Sequence, residues 1–216
     1  MFVMTAQIGD LCKFENEEYA ILAYSDENYF VPQSYGLEPH AIATCCYRGY
    51  FSEYAVEDEE FLLKNLYIYN RDGAYPPLNG VEPEPREYYE DNLRRKKKRE
   101  KIQIPKHMGH RVYRNICLRV PYTGKILIGK DFIREYYIHM GFQRAWSYRK
   151  LAELTVDEGL LMASRDVSGY AEEKRREMLE KKEDPHKPIN ESEDEFVGRC
   201  FSLDYADKVW CTEFPF

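Results

Sequence analysis

No Cys-x-x-Cys pair occurs in this sequence, and its six cysteines (Cys12, Cys45, Cys46, Cys117, Cys200, Cys211) fall at irregular spacings. A zinc-ribbon or thioredoxin-type motif is thereby excluded, and free buried thiols are expected. Cys45 and Cys46 are neighbours, but adjacent strand residues point to opposite faces, so they make a poor joint metal site. Long hydrophobic runs are missing too. The longest, such as Ala41 to Tyr47, fall far short of the ~20 residues of a membrane span. Residues 1–7 carry neither the basic nor the apolar region of a signal peptide. The expectation is a soluble, cytoplasmic chain with no membrane partner. Gly-x-Ser-x-Gly, His-Glu-x-x-His and the His-x-Glu…Cys-x-x-Cys pattern of zinc deaminases are absent. No motif calls for a cofactor or a metal.

What is present suits a globular protein. The 216 residues are 44% apolar and 32% charged, and 31 basic side chains face 38 acidic ones. The length suits one domain spanning 1–216. Charge is unevenly placed. Residues 1–70 hold 3 basic and 12 acidic side chains, residues 71–150 hold 19 and 9, and residues 151–216 hold 9 and 17. A basic middle between acidic flanks reads either as internal neutralisation or as a face for phosphate, nucleic acid or an acidic partner.

Alternation and turn residues predict an α+β fold, mainly antiparallel β. Short strands are expected at 8–11, 19–24, 29–31 and 41–47. Two hairpins follow, around 49–69 and 147–167, with acidic turns Glu57-Asp58-Glu59-Glu60 and Asp157-Glu158-Gly159. They echo each other weakly, as a duplication would. Strands are also expected at 112–120, 125–128, 196–203 and 209–210. Residues 131–140 space Phe132, Ile133, Tyr136, Tyr137 and Met140 as a core helix would, with Gly141 as its stop. Peripheral charged helices are expected within the insertion 82–104, which is preceded by prolines, and within 171–195, where an acidic loop follows. The tail Phe214-Pro215-Phe216 is expected to dock onto the core.

Three stretches invite chemistry. Gly124-Lys125-Ile126-Leu127-Ile128-Gly129-Lys130-Asp131 matches most of a phosphate-binding loop, but Asp131 stands where Ser or Thr should hold Mg²⁺. A turn, a strand and a helix cap at Asp131 account for it better. His107 and His110 are three apart, yet Gly109 and Pro105 favour a loop there. Residues 106–150 hold 10 basic and 2 acidic side chains, with aromatics interleaved. Cations and stacking rings are what nucleic-acid grooves use. The candidate ligand residues are Arg111, Tyr113, Arg114, Arg119, Lys130, Arg134, His139, Arg144 and Trp146. A core of aromatics rimmed by Arg and Lys stems is the competing account. The run Arg94 to Arg99 divides likewise between a nucleic-acid patch and a solvated helix end.

The 19 tyrosines suit binding surfaces and half-buried strands alike. Short antiparallel strands, abundant tyrosine, acidic flanks and no catalytic signature together make a style that resembles small bacterial cytoplasmic accessory proteins, including immunity proteins. That resemblance implies a non-enzymatic binding or inhibitor protein offering an acidic, tyrosine-rich surface to a protein partner. Two alternatives stay open. One is nucleotide or nucleic-acid binding through 106–150. The other is an enzyme with a dispersed Cys/His/Arg site.

Overall fold

The computed structural model describes residues 5–26, 29–41, 43–71, 73–85, 88–89, 101–102, 111–182 and 192–204. Leu11–Phe14 (β1) turns into Glu17–Tyr24 (β2). A 3-10 turn at Pro32–Tyr35 leads on to Tyr50–Glu57 (β3) and Glu60–Ile68 (β4). Three two-residue strands follow: Glu84–Pro85 (β5), Tyr88–Tyr89 (β6) and Lys101–Ile102 (β7). Arg111–Arg119 (β8), Gly124–Phe132 (β9), Tyr148–Asp157 (β10) and Leu160–Asp166 (β11) complete the strands. Ser168–Lys181 (α1) and Glu193–Phe201 (α2) are the helices.

Nine strands form one mixed sheet, in the order β11-β10-β9-β2-β1-β3-β4-β8-β5. Neighbours run antiparallel except β1 and β3, where Leu11 faces Glu53 and Lys13 faces Ala55 in parallel. A further pair, Leu160 with Glu60, joins β11 to β4, so the sheet curls back on itself. Both hairpins expected from alternation are present. Each carries a register shift, between Glu53 and Tyr54 in one and between Thr155 and Val156 in the other.

The inner face of the curl is packed by Tyr24, Tyr54, Phe61, Leu63, Leu66, Tyr113, Ile126 and Leu154, among others. Leu22, Ala23 and Leu127 point the opposite way and meet Trp146, Leu151, Val167, Ala171 and Met178. β2 and β9 are thus covered on both faces, which explains their near-continuous apolar character. α1 docks through a narrow stripe in which only Ala171 and Met178 are buried. Between them Arg175 donates to the carbonyls of Trp146 (2.9 Å) and Tyr148 (2.8 Å). Its aliphatic stem and fork anchor a helix too polar to anchor by hydrophobic area alone.

Several sequence expectations are corrected. The helix at 131–140 does not form. β9 runs through Phe132, which pairs with Tyr148, and Ile133 donates to Ser147 at 2.7 Å. Only a 3-10 turn, Arg134–Tyr136, follows. Strand pairing satisfies more backbone groups than a short helix would, and Phe, Ile and Tyr favour strands. Asp131 lies in the strand at φ 60 and caps no helix. Residues 29–31 and the described part of 41–47 form no strand. The first strand begins at Leu11, not at residue 8.

From Ser192 onward, the acidic loop expected to end at 195 and the strand expected at 196–203 give way to α2. Ser192 and Glu195 form its capping box: Ser192 Oγ accepts from the Glu195 amide, and the Glu195 carboxylate accepts from the Ser192 amide. In the charged insertion, β6 pairs with β7 as a short ladder, and Glu84 of β5 pairs with Val112 at the sheet edge. The rest of the helix expected there, the run at 94–99, His107 and His110, and the tail from residue 205 lie outside the described residues.

Candidate functional site

The nine candidate ligand residues lie in separate parts of the structure. Arg111, Tyr113, Arg114 and Arg119 sit on β8, whereas Lys130 sits on β9, and β2, β1, β3 and β4 lie between those strands in the sheet. Arg111 is buried with its guanidinium over Tyr75, and the Tyr113 hydroxyl donates to the Pro76 carbonyl at 2.8 Å. Arg114 faces Glu84 at 3.6 Å, and Arg119 faces Glu60 at 3.4 Å. Lys130 pairs with Glu17 and lies over the Tyr19 ring. Arg134 and His139 are exposed, with His139 against the Tyr137 ring. Arg144 is only 1% exposed and stands over Trp146, donating to Cys200 Sγ at 3.1 Å. It fastens α2 to the loop before β10.

The tyrosines serve the core first. Tyr19, Tyr24, Tyr29, Tyr50, Tyr54, Tyr113, Tyr122 and Tyr148 are all buried. Burial pushes the Tyr24, Tyr29 and Tyr54 phenols well above their ordinary range. Cys12, Cys46 and Cys200 are buried, Cys45 is half-buried and Cys117 is exposed, all as free thiols. Among the described residues, no three His, Cys, Asp or Glu gather as a metal site would need. No described helix is long and apolar enough to cross a membrane.

Acidic charge gathers at one place. Two hairpin turns meet there, and a third turn shares their backbone conformation. The β1–β2 turn has Glu15 and Asn16 at φ 51 and 63, the β3–β4 turn has Asp58 and Glu59 at 49 and 63, and the β10–β11 turn has Glu158 and Gly159 at 47 and 80. The parallel β1–β3 pairing ends at Lys13 and Ala55, and Glu15 lines a cavity with Tyr19, Lys150 and Arg165. The β3–β4 and β10–β11 turns are joined directly: Phe61 donates to Gly159 and Leu161 to Glu59, at 2.8 and 2.7 Å. Turns of this shape favour Asn-Gly, because both central residues need positive φ. Glutamate stands there three times. Glu57 and Glu60 are paired with Lys64 and Arg119. Glu15, Asp58, Glu59 and Glu158 form no ion pair among the described residues, and all four are exposed.

A second polar feature is enclosed. Asp10, 1% exposed, accepts from Arg48 Nη1 at 2.9 Å and Nη2 at 3.0 Å. It also accepts from the Ser52 amide at 2.8 Å and the Tyr29 hydroxyl at 3.1 Å. Arg48 Nη1 donates to that same hydroxyl at 2.5 Å. The guanidinium lies over Tyr50 (4.9 Å) and Phe142 (5.3 Å). Burial alone would lower its proton affinity, but Asp10 and Tyr29 outweigh that and hold it well above its ordinary value. Arg48 faces a cavity of about 380 Å³, whose walls include Tyr24, Tyr29, Tyr50, Phe142, Phe201 and Asp204. The wall formed by the end of α2 and the residues after it is tied down by the Tyr24 backbone amide, which donates to the Leu203 carbonyl at 2.9 Å. Sequence reasoning missed this site because Asp10 and Arg48 meet only through the β1–β3 pairing and the loop before β3.

Comparison with family models, with curated proteins and with solved structures finds no match to this chain.

Proposed function

We propose that this is a non-enzymatic binding protein whose acidic turn cluster takes a basic protein partner, in the manner of an inhibitor or immunity protein. The observation that carries the reading is the meeting of the β3–β4 and β10–β11 turns, which places Asp58, Glu59 and Glu158 together with no ion pair among the described residues. Like charges repel, and each glutamate occupies a left-handed conformation costing roughly 1–2 kcal/mol. Neither feature helps the fold, whereas both present a negative field that steers a basic surface into contact. Phosphate binding through 106–150 has less support, because Arg114, Arg119 and Lys130 already face carboxylates.

The test compares the unmodified protein with an Asp58→Asn, Glu59→Gln, Glu158→Gln variant. Each is immobilised and exposed to native-host extract at low salt, and captured proteins are identified and then re-bound in purified form. The expected result is a basic protein held by the first and not the second, with association slowing as salt rises. Equal binding by both variants would overturn the reading.

A further inference from the structure

The cavity beside Arg48 plays no part in the acidic cluster, and its chemistry points to a ligand of its own. A guanidinium has five N–H donors. Two of Arg48's reach Asp10 and a third reaches Tyr29. Nε and the second Nη2 hydrogen take no part in these three bonds and lie side by side on one edge, and the Tyr50 hydroxyl also stands within hydrogen-bond reach of the guanidinium. That edge is a two-pronged fork for a pair of adjacent acceptors. About a fifth of the Arg48 side chain is exposed, so the fork is not sealed. A second unused group stands nearby. The Tyr24 hydroxyl is fully buried with no hydrogen-bond partner among the described residues, and Tyr24 lines the same cavity. A buried polar atom left unmatched destabilises the fold, which gains by having a partner supplied.

Charge and shape select the ligand. Arg48 is already neutralised by Asp10. A carboxylate or phosphate on the fork would leave excess negative charge in a desolvated place. A neutral acceptor pair would not. The walls are largely rings: Tyr24, Tyr29, Tyr50, Phe142 and Phe201. Tyr24 and Tyr29, stacked with centroids 3.4 Å apart and planes 6° from parallel, line its buried side, and the half-buried Phe201 is a ring of the kind planar groups settle on. The cavity's 380 Å³ lies within the usual range for small-molecule sites.

We propose that this cavity binds a neutral planar heterocycle with two adjacent acceptors, of the 6-oxopurine type, gripped by Arg48 Nε and Nη2 and stacked against the aromatic wall. The carbonyl oxygen and ring nitrogen of such a base match an arginine fork, as in guanine readout. Adenine offers a donor at one of the two positions and is rejected.

Calorimetric titration of the full chain with guanosine, inosine, adenosine and benzoate tests this. Guanosine and inosine should bind, with adenosine and benzoate at least tenfold weaker. Arg48→Lys keeps the charge but removes the fork, and should weaken guanosine roughly 10- to 100-fold. Tyr24→Phe removes the unmatched hydroxyl, and should weaken guanosine several-fold while leaving thermal stability equal or higher. If Arg48→Lys fails to fold, Phe201→Leu, on the half-buried cavity wall, removes a stacking ring without touching the ion pair and should weaken binding about tenfold. Benzoate or adenosine binding as tightly as guanosine, no nucleoside binding, or affinity indifferent to these substitutions would overturn the proposal.

Discussion

Gly141 turns so close to Cys200 that a β-carbon on it would stand 2.2 Å from the Cys200 carbonyl oxygen. Its φ of +71 is itself unsuited to other residues. This contact seats α2, since the next amide, Phe142, donates to that same carbonyl at 2.7 Å. Gly141→Ala should therefore cost about 1–3 kcal/mol in backbone strain, with overpacking in addition. Amide exchange in α2 should quicken more than in β3 or β4. Gly169→Ala is the contrast: that position is helical with nothing within 4 Å, and alanine there should leave stability equal or slightly raised.

Breaking the Asp10–Arg48 pair from one side should be worse than removing it. Asp10→Asn leaves a largely buried guanidinium facing an amide, and should destabilise by about 3–5 kcal/mol in denaturant titrations. Arg48→Met strands the carboxylate in the same way. The double variant should cost less than the two single effects added together. Strict additivity would mean that the two groups do not interact energetically.

The β3–β4 turn should be improvable. Replacing Asp58→Asn and Glu59→Gly installs the pair that its positive φ values of 49 and 63 prefer and removes two negative charges. A gain of about 1 kcal/mol in unfolding free energy is expected, together with weaker binding of the basic partner. A loss of stability would mean that these acids hold the turn together.

High pH should unfold the protein through its tyrosines. Burial raises Tyr24, Tyr29, Tyr54 and Tyr113 above their ordinary value near 10, and takes Tyr148 to about 12. A group whose folded pKa is raised contributes stability that is complete below its unfolded pKa. That contribution is lost as pH climbs toward the folded value. Stability should accordingly be level up to about pH 9–10, then fall by up to roughly 1.4 kcal/mol per pH unit for each such tyrosine. Tyrosinate absorbance and far-ultraviolet dichroism should change together in one steep step. Gradual ionisation without loss of structure would contradict the burial of these phenols.

The sheet was readable where alternation was clean. Tyr50, Ser52 and Tyr54 share a face, and all three are buried. Residues 131–140 misled because Phe132, Ile133, Tyr136 and Tyr137 fit a helical stripe, while the partner that makes Phe132 a strand residue, Tyr148, lies beyond the loop. α2 announced itself in the Ser192-x-x-Glu195 capping box, a signal masked by the acidic composition around it. The acids of the turn cluster were visible singly. Their convergence was not, because it depends on the contact of Leu160 with Glu60, a hundred positions apart. Asp10 and Arg48 lie 38 positions apart, and no local periodicity links them.

β1 is four residues long and stands between two antiparallel sets, β2-β9-β10-β11 on one side and β3-β4-β8-β5 on the other. Synthesis delivers the β1–β2 hairpin first. One of its edges gains a partner as soon as Tyr50–Glu57 emerges, but the other waits for Gly124–Phe132. For about a hundred residues of translation, the nascent chain carries an open β2 edge holding Ile21, Leu22 and Ala23. Such an edge is a template for foreign strands. Yield in a cell should therefore depend on how quickly the middle of the message is read, and slow codons between those two strands should favour insoluble product.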